Sequence, residues 1–403
     1  MNISQRATDL PSSPMRALSG LADAASARGV EVIRLNIGQP DFETPKAFWN
    51  RIDNDRPDVV SYESSAGMPL LRDAVAADYA NYGGQDVNGS DVLITIGASE
   101  AVSISLQIAL DEEDELLVPE PFYANYKTIA QMLNIKVKGI ARDFASGFAL
   151  PSVEVFEQHI TAKTKAIMIS NPDNPTGKIY SEQELMMLAG LAEKHNLWLI
   201  VDEVYKDFVF SDMKFLSLLN LEKFAQFQSR IMVLDSISKK FSACGARIGA
   251  IITRNKEAIA AGNKYCQARL SAGVVDQLGA LSLYEAGLND FLKTTVNGMY
   301  LQRKHTLEAG LRTIPGVEVP EVSGAFYLFV KLPVADSWKF STWLLESFSF
   351  EGSTVMLAPG SGFYENPSDG AQFVRLAYVI EDSKLEKATR VLKAALSAYK
   401  EQN

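Results

Sequence analysis

Residues 235–249 read Asp235-Ser-Ile-Ser-Lys-Lys-Phe-Ser-Ala-Cys-Gly-Ala-Arg-Ile-Gly249, and a short apolar run, Ile231 to Leu234, delivers them as a buried strand would. Two serines follow the strand, Ser236 and Ser238, then Lys239, and Arg247 comes eight positions after that lysine. Hydroxyls and a guanidinium bind phosphate well, the guanidinium as a charge-assisted bidentate donor. A lysine beside such a cluster suggests an amine held against a phosphorylated aldehyde. To act as a nucleophile its ammonium must first lose a proton, and a desolvated, cation-rich setting favours that loss. The competing reading is a polar loop carrying a surface lysine pair, Lys239 and Lys240.

Working outward, the same grammar recurs: a short apolar strand that ends in a chemically loaded turn. Val92 to Ile96 runs directly into Gly97-Ala98-Ser99 and a helix, so free backbone N–H groups and the positive helix end face an anion, with Ala98 and Ser99 as donors. Leu116 to Val118 leads to Pro119-Glu-Pro-Phe-Tyr123-Ala-Asn-Tyr126. Lys165 to Ser170 ends in Asn171-Pro-Asp-Asn174-Pro-Thr-Gly177, a rigid loop with two Asn-Pro pairs. Ser181 with Glu184 forms a capping box for the next helix. Leu197 to Val201 ends at Asp202-Glu-Val-Tyr205, and an acid at that buried edge needs a cation to offset its desolvation. Short Ile/Leu/Val strands separated by helices predict an α/β fold with a mostly parallel sheet covered on both faces, its site at the strand C-terminal ends.

Ser236-Ile-Ser238-Lys239 with Gly245-Ala-Arg247-Ile-Gly249 resembles the cofactor-attachment motif of the class I/II pyridoxal-phosphate-dependent aminotransferases. Asn171 to Gly177, Asp202-Glu-x-Tyr205, Gly38-x-Pro-Asp-Phe42, Tyr62-x4-Gly67-x4-Arg72 and Phe363…Arg375-Leu resemble further motifs of that family, in family order and over nearly the whole length. The resemblance implies fold type I, with a seven-stranded, mostly parallel sheet in a large domain and a smaller α+β domain. It implies that Lys239 binds the aldehyde of pyridoxal 5'-phosphate, with Ser236, Ser238 and Arg247 on the phosphate. It further implies Tyr123 stacked on the pyridine ring (Phe122 being the other choice), Asn174 and Tyr205 on the phenolic oxygen, and Asp202 on the ring nitrogen. Arg375 would take the substrate α-carboxylate, near the backbone of Gly38, and Tyr62 would reach the phosphate of a partner subunit, so a homodimer is expected. Gln267 to Ser271, with Gln277, resembles the stretch that turns back toward the partner.

We read a large domain over residues 46–285 and a small one over 1–45 plus 286–403, where helix, strands and a final helix from 383 to 400 follow one another. The chain has 403 residues and a net charge of −10 with no long basic run, which argues against nucleic acid or an anionic membrane as partner. Two cysteines, Cys244 and Cys266, give neither a disulfide framework nor a zinc pattern, and three dispersed histidines make no metal site. The first residues lack the apolar core of a signal peptide, and no run of about twenty apolar residues exists, so a cytoplasmic location is expected.

The reaction implied is ping-pong transfer of an amino group from an L-amino acid to a 2-oxo acid. Aspartate or glutamate is the first choice of donor, with aromatic or alanine-type donors as alternatives. One aspartate-specific branch has a lysine where this chain has Ser99, so Arg269 or Arg16 would have to read a distal carboxylate. A carbon–sulfur lyase on the same scaffold would keep every motif. A nicotinamide dehydrogenase is disfavoured because no Gly-x-Gly-x-x-Gly follows a strand.

Overall fold

The computed structural model of the chain describes residues 3–10, 16–210 and 214–402; Pro11 to Met15, at the head of the first alanine-rich stretch, lie outside them. Twelve strands occur in chain order: β1 (Glu31–Arg34), β2 (Val92–Ile96), β3 (Glu115–Glu120), β4 (Lys136–Ala141), β5 (Thr164–Ser170), β6 (Trp198–Asp202), β7 (Ile231–Ser236), β8 (Ile248–Ile252), β9 (Tyr327–Lys331), β10 (Ser353–Met356), β11 (Ala358–Pro359) and β12 (Phe373–Ala377). Seven of them form one sheet in the order β2-β8-β7-β6-β5-β3-β4. Only β8 runs against its neighbours; the remaining pairs are parallel.

The sheet is buried on both faces because its central strands are apolar through their middles, and successive side chains point to opposite sides. Ile167, Ile169, Leu199, Val201, Ile231 and Val233 enter the core on one face. Their chain neighbours Ala166, Met168, Ile200, Met232 and Leu234 enter the core on the other. Long, uninterrupted burial of this kind fixes the strand ends, and therefore the turns that follow them, as a rigid platform.

The remaining strands form two smaller sheets. β1 pairs in parallel with β10, and β9 and β11 flank β12 in antiparallel register, with Arg375 opposite Phe329 and Ala358. The last helix, Asp382–Gln402, buries Leu385, Ala388, Val391, Leu392, Ala395 and Leu396, a stripe at helical spacing. The capping box is formed: Glu184 N donates to Ser181 Oγ at 3.2 Å and Ser181 N to Glu184 Oε2 at 2.9 Å.

Three local expectations change. The helix that begins at Pro69 ends at Asp78, with a 3₁₀ turn over Tyr79–Tyr82, and Leu70 is 61% exposed, so Leu71, Val75, Ala76 and Tyr79 form its buried face. The apolar run Ala325 to Val330 would suit a strand throughout, but β9 begins only at Tyr327 because Ala325 adopts φ 55° and breaks the extended run. Lys240 is 1% exposed, so Lys239 and Lys240 are no surface pair.

Candidate active site

Six turns converge at one edge of the large sheet. The helix Gly97–Ala109 starts directly from β2, which leaves its first N–H groups without helical partners. Beside it, the turn after β7 is fixed by Ser236, whose Oγ accepts from Ser238 N at 3.1 Å and donates to the Ile248 carbonyl at 2.8 Å. The two serine hydroxyls lie 2.8 Å apart. Arg247 adopts a left-handed φ of 53°, and its Nη1 donates to the Cys244 carbonyl at 2.9 Å. A Cβ on Gly97 would lie 2.2 Å from Arg247 Nη2, and one on Gly249 would lie 2.7 Å from Ala98 N, so both glycines are required for this close approach. The result is a concave cluster of hydroxyls, backbone donors and a guanidinium, the donor set a phosphate needs.

Lys239 stands next to that cluster. Its Nζ donates to the Gly38 carbonyl at 2.7 Å and lies 3.9 Å from Cys244 Sγ. Among the described residues it has no carboxylate partner. Burial lowers its pKa, and the charges of Arg375 and Arg247 add to that; Cys244 and Asp202 oppose it. The amine is thereby biased toward its neutral, nucleophilic form.

Asp202, at the end of β6, is 4% exposed and pairs with no cation among the described residues. Its Oδ2 accepts from Tyr126 Oη at 2.7 Å and its Oδ1 from Val204 N at 3.2 Å. Burial pushes its pKa up to about 6 despite those two bonds. A buried carboxylate held this way suits a protonated ring nitrogen.

Arg375 is 1% exposed, and among the described residues it too has no ion-pair partner. Its Nη1 donates to Asn174 Oδ1 at 3.0 Å and its Nη2 to the Asn36 carbonyl at 2.6 Å, while its Nε has no partner. The guanidinium lies over the Tyr327 ring at 4.3 Å. Tyr205 Oη is 2.8 Å from Tyr327 Oη. Gly38 packs so tightly under Tyr327 that a Cβ would fall 1.8 Å from its hydroxyl.

These groups line a cavity of about 690 Å³. Lys239, Asp202, Tyr205, Ala98, Ser99, Tyr123, Asn174, Ser236, Ser238, Arg247, Gly38 and Arg375 all face it. Tyr123 rather than Phe122 does so; Phe122 is 2% exposed and belongs to the core. Tyr62 does not line it and is 80% exposed. Of the two candidate distal readers, Arg16 faces the cavity. Arg269 does not: its Nε bonds both carboxylate oxygens of Glu100 at 3.1 Å and its Nη2 the Ile94 carbonyl at 2.6 Å. Sequence reasoning missed Tyr327, Gln39, Asn125 and the cavity-facing position of Cys244. Tyr327 could have been found, since it is the polar-tipped member of an otherwise apolar strand.

Among the described residues three arginines (Arg16, Arg247 and Arg375), the amine of Lys239 and one carboxylate, Asp202, surround the space. A ligand that satisfies this set is anionic at two ends, with one positive centre near Asp202. Fold and cavity together define a site suited to an anionic ligand at the strand C-terminal ends. The chain belongs to the class I and II aminotransferase family: it matches that family over residues 30–392. It is 30% identical over 399 residues to a probable aspartate/prephenate aminotransferase of Aquifex aeolicus, covering 98% of each chain. It is 31% identical over 388 residues to an aspartate aminotransferase of Thermotoga maritima, covering 96% of this chain and 97% of that one. Among solved structures, the aspartate aminotransferase of Thermus thermophilus with maleate superposes with a TM-score of 0.88 at 26% identity, over 98% of this chain and all of that one. An alanine aminotransferase from Pyrococcus furiosus superposes equally well, with the same score, identity and coverage. The protein is therefore an aminotransferase, with the large mostly parallel sheet and smaller sheets of that fold.

Proposed function

We propose that this aminotransferase uses pyridoxal 5'-phosphate bound at Lys239 and moves the amino group of L-aspartate or L-glutamate to a 2-oxo acid such as 2-oxoglutarate. The observation that carries the reading is the set of groups at the cavity, in which Lys239, Asp202 and Arg375 are each held in or beside the core with no ion-pair partner among the described residues. A phosphate fits the cup of Ala98, Ser99, Ser236, Ser238 and Arg247. The pyridine ring fits between Tyr123 and Asp202, and Asn174 and Tyr205 are on hand for its phenolic oxygen. When bound, the cofactor supplies an electron sink for charge that develops at the substrate Cα.

The chain's own residues do the rest. Arg375 holds the α-carboxylate with its planar fork, which orients the Cα–H bond. Lys239 Nζ, whose burial favours the neutral amine, would take the Cα proton as general base. Asp202, buried and without a cation of its own among the described residues, would hold a protonated ring nitrogen. Tyr123, Tyr327 and the buried floor exclude water from the ring faces.

Arg16 supports an acidic donor, since it is the cavity cation left over once phosphate and α-carboxylate are assigned. The relatives named for aspartate agree with that choice. Arg16→Ala should lower kcat/KM for aspartate about 10–100-fold and leave alanine within a few-fold. We further infer a large domain over 46–285 and a small domain from 1–45 plus 286–403, which the pairing of β1 with β10 supports. We also infer a cytoplasmic homodimer with Tyr62 contributed in trans. Among the described residues no helix is long and apolar enough to cross a membrane.

The test is titration of the purified protein with pyridoxal 5'-phosphate, followed by borohydride reduction and peptide mapping, then a panel of amino acids with 2-oxoglutarate. A tagged Lys239 and glutamate formed from an acidic donor are expected. A tag elsewhere, or none, would sink the cofactor assignment. Pyruvate and ammonia released from a cysteine-type donor would favour the eliminating chemistry instead.

A further inference from the structure

Arg142 follows the last residue of β4 and lines no part of the cavity, yet its side chain is completely buried. Every arm of its fork is used. Nε donates to the Glu120 carbonyl at 2.9 Å, Nη2 to the Pro121 carbonyl at 2.5 Å and to Asp173 Oδ2 at 2.9 Å, and Nη1 to Tyr180 Oη at 2.7 Å. The rings of Phe148 and Tyr180 each lie 5.9 Å from the guanidinium carbon. A buried ion pair of this kind gains little net stability over an apolar pair of the same shape, so its retention calls for a reason beyond holding the fold together.

The partners supply one. Glu120 and Pro121 begin the turn that presents Tyr123, and Asp173 immediately precedes Asn174 in the other turn. Asp173 is itself locked: its N donates to the Lys178 carbonyl at 2.8 Å, its carbonyl accepts from Gly177 N at 2.8 Å, and its carboxylate accepts from Thr176 Oγ1. One guanidinium thus ties two separate turns together, and each turn carries a cavity group within two residues of the tie. We propose that Arg142, through Asp173, is a positioning residue that sets the gap between the Tyr123 ring and the Asn174 amide, the slot in which the pyridine ring is gripped.

The inference rests on the cofactor reading given above. Lysine cannot replace the fork, because a single ammonium cannot reach two backbone carbonyls, a phenol and a carboxylate at once. Arg142→Lys and the milder Asp173→Asn are compared with the native holoenzyme and with Leu385→Ala, a core change in the remote C-terminal helix that calibrates simple loss of stability. Far-UV circular dichroism checks folding. The decisive readouts are the Kd for pyridoxal 5'-phosphate and the circular dichroism that the cofactor acquires in its asymmetric slot.

Both clamp variants should bind the cofactor about tenfold or more weakly, with a reduced visible dichroic band per bound cofactor and kcat lowered more than KM, as expected for a misplaced slot. Leu385→Ala should lose thermal stability with an unchanged band. If Arg142→Lys fails to fold, Asp173→Asn alone decides. Clamp variants that match the native Kd and dichroic band overturn the inference and leave the cofactor reading standing. A native protein that takes up no cofactor overturns both.

Discussion

Asn174 has one amide, and Arg375 decides which end of it faces the cavity. A guanidinium can only donate, so the 3.0 Å contact from Arg375 fixes the Asn174 oxygen as acceptor and leaves its NH₂ as the donating end. Arg375 therefore does two jobs, lining the cavity where a carboxylate would bind and setting the asparagine's polarity. Arg375→Lys should lower kcat/KM for amino donor and 2-oxo acid alike by about 10–100-fold, since an ammonium gives no bidentate contact and frees the amide to flip. Steady-state kinetics with both substrates checks this, and a loss confined to one of them would refute the shared role. Asn174 was legible from its doubled Asn-Pro loop and Arg375 from the family motif it resembles. Their contact was not, because 201 positions separate them and nothing local encodes it.

The turn Ile237–Lys240 shows what a short element adds. It is four residues long, capped by Ser236, and successive residues on it point in divergent directions. Lys239 faces the cavity, while Lys240 turns into the protein and pairs with Asp78 at 2.7 and 2.9 Å and with Asp207 at 3.3 Å. Lys206 joins the same cluster, 2.5 Å from Asp235 and 3.6 Å from Asp78. The residues flanking the cavity groups thus anchor the strand ends from behind. Lys240→Met should cost about 3–5 kcal/mol, because it strands buried carboxylates, and the urea midpoint should fall accordingly. A midpoint within error of the native one would refute the anchoring role. The motif singles out Lys239 in the sequence, but the buried role of Lys240 appears only in the turn's geometry.

Glu203, next to Asp202, gives that platform a pH dependence. Burial pushes its pKa up to about 8, against which the Ser217 hydroxyl and the Leu218 N–H act. A raised native pKa means that the folded chain holds this proton more tightly than the unfolded one. Stability should therefore fall as pH rises from the ordinary glutamate range to about 8 and level off above it, by at most about 1.4 kcal/mol per pH unit. Glu203→Gln removes the titration, so its stability relative to the native protein should improve from pH 5 to about pH 8 and then level off in urea unfolding. Parallel curves for the two proteins would contradict the assignment.

At the scale of the whole molecule, a chain of net charge −10 encloses a cavity lined, among the described residues, by four basic side chains and one acid. Its surface favours solubility while the site concentrates anions. The sheet and the strand-end turns were readable because a continuous apolar run and its terminal motif are both local. The pairing of β1 with β10, across more than three hundred positions, was not. Tyr62 belongs to this scale. It is 80% exposed, does not line its own cavity, and follows exposed Val59 and Val60 in the chain. If a second copy covers this surface and Tyr62 completes the partner's phosphate cup, two crippled subunits should rescue one another. A Lys239→Ala chain lacks the amine, and a Tyr62→Ala chain lacks the donated phenol. In a dimer of one of each, one site combines the intact lysine of the Tyr62→Ala chain with the intact tyrosine of the other. Equal mixing after dissociation makes half the dimers mixed, so about a quarter of all sites should be fully native. Recovery of about a quarter of native activity, absent from either variant alone, is the expected result. If Tyr62 served its own chain, no mixed dimer would contain a native site, and mixing would recover nothing.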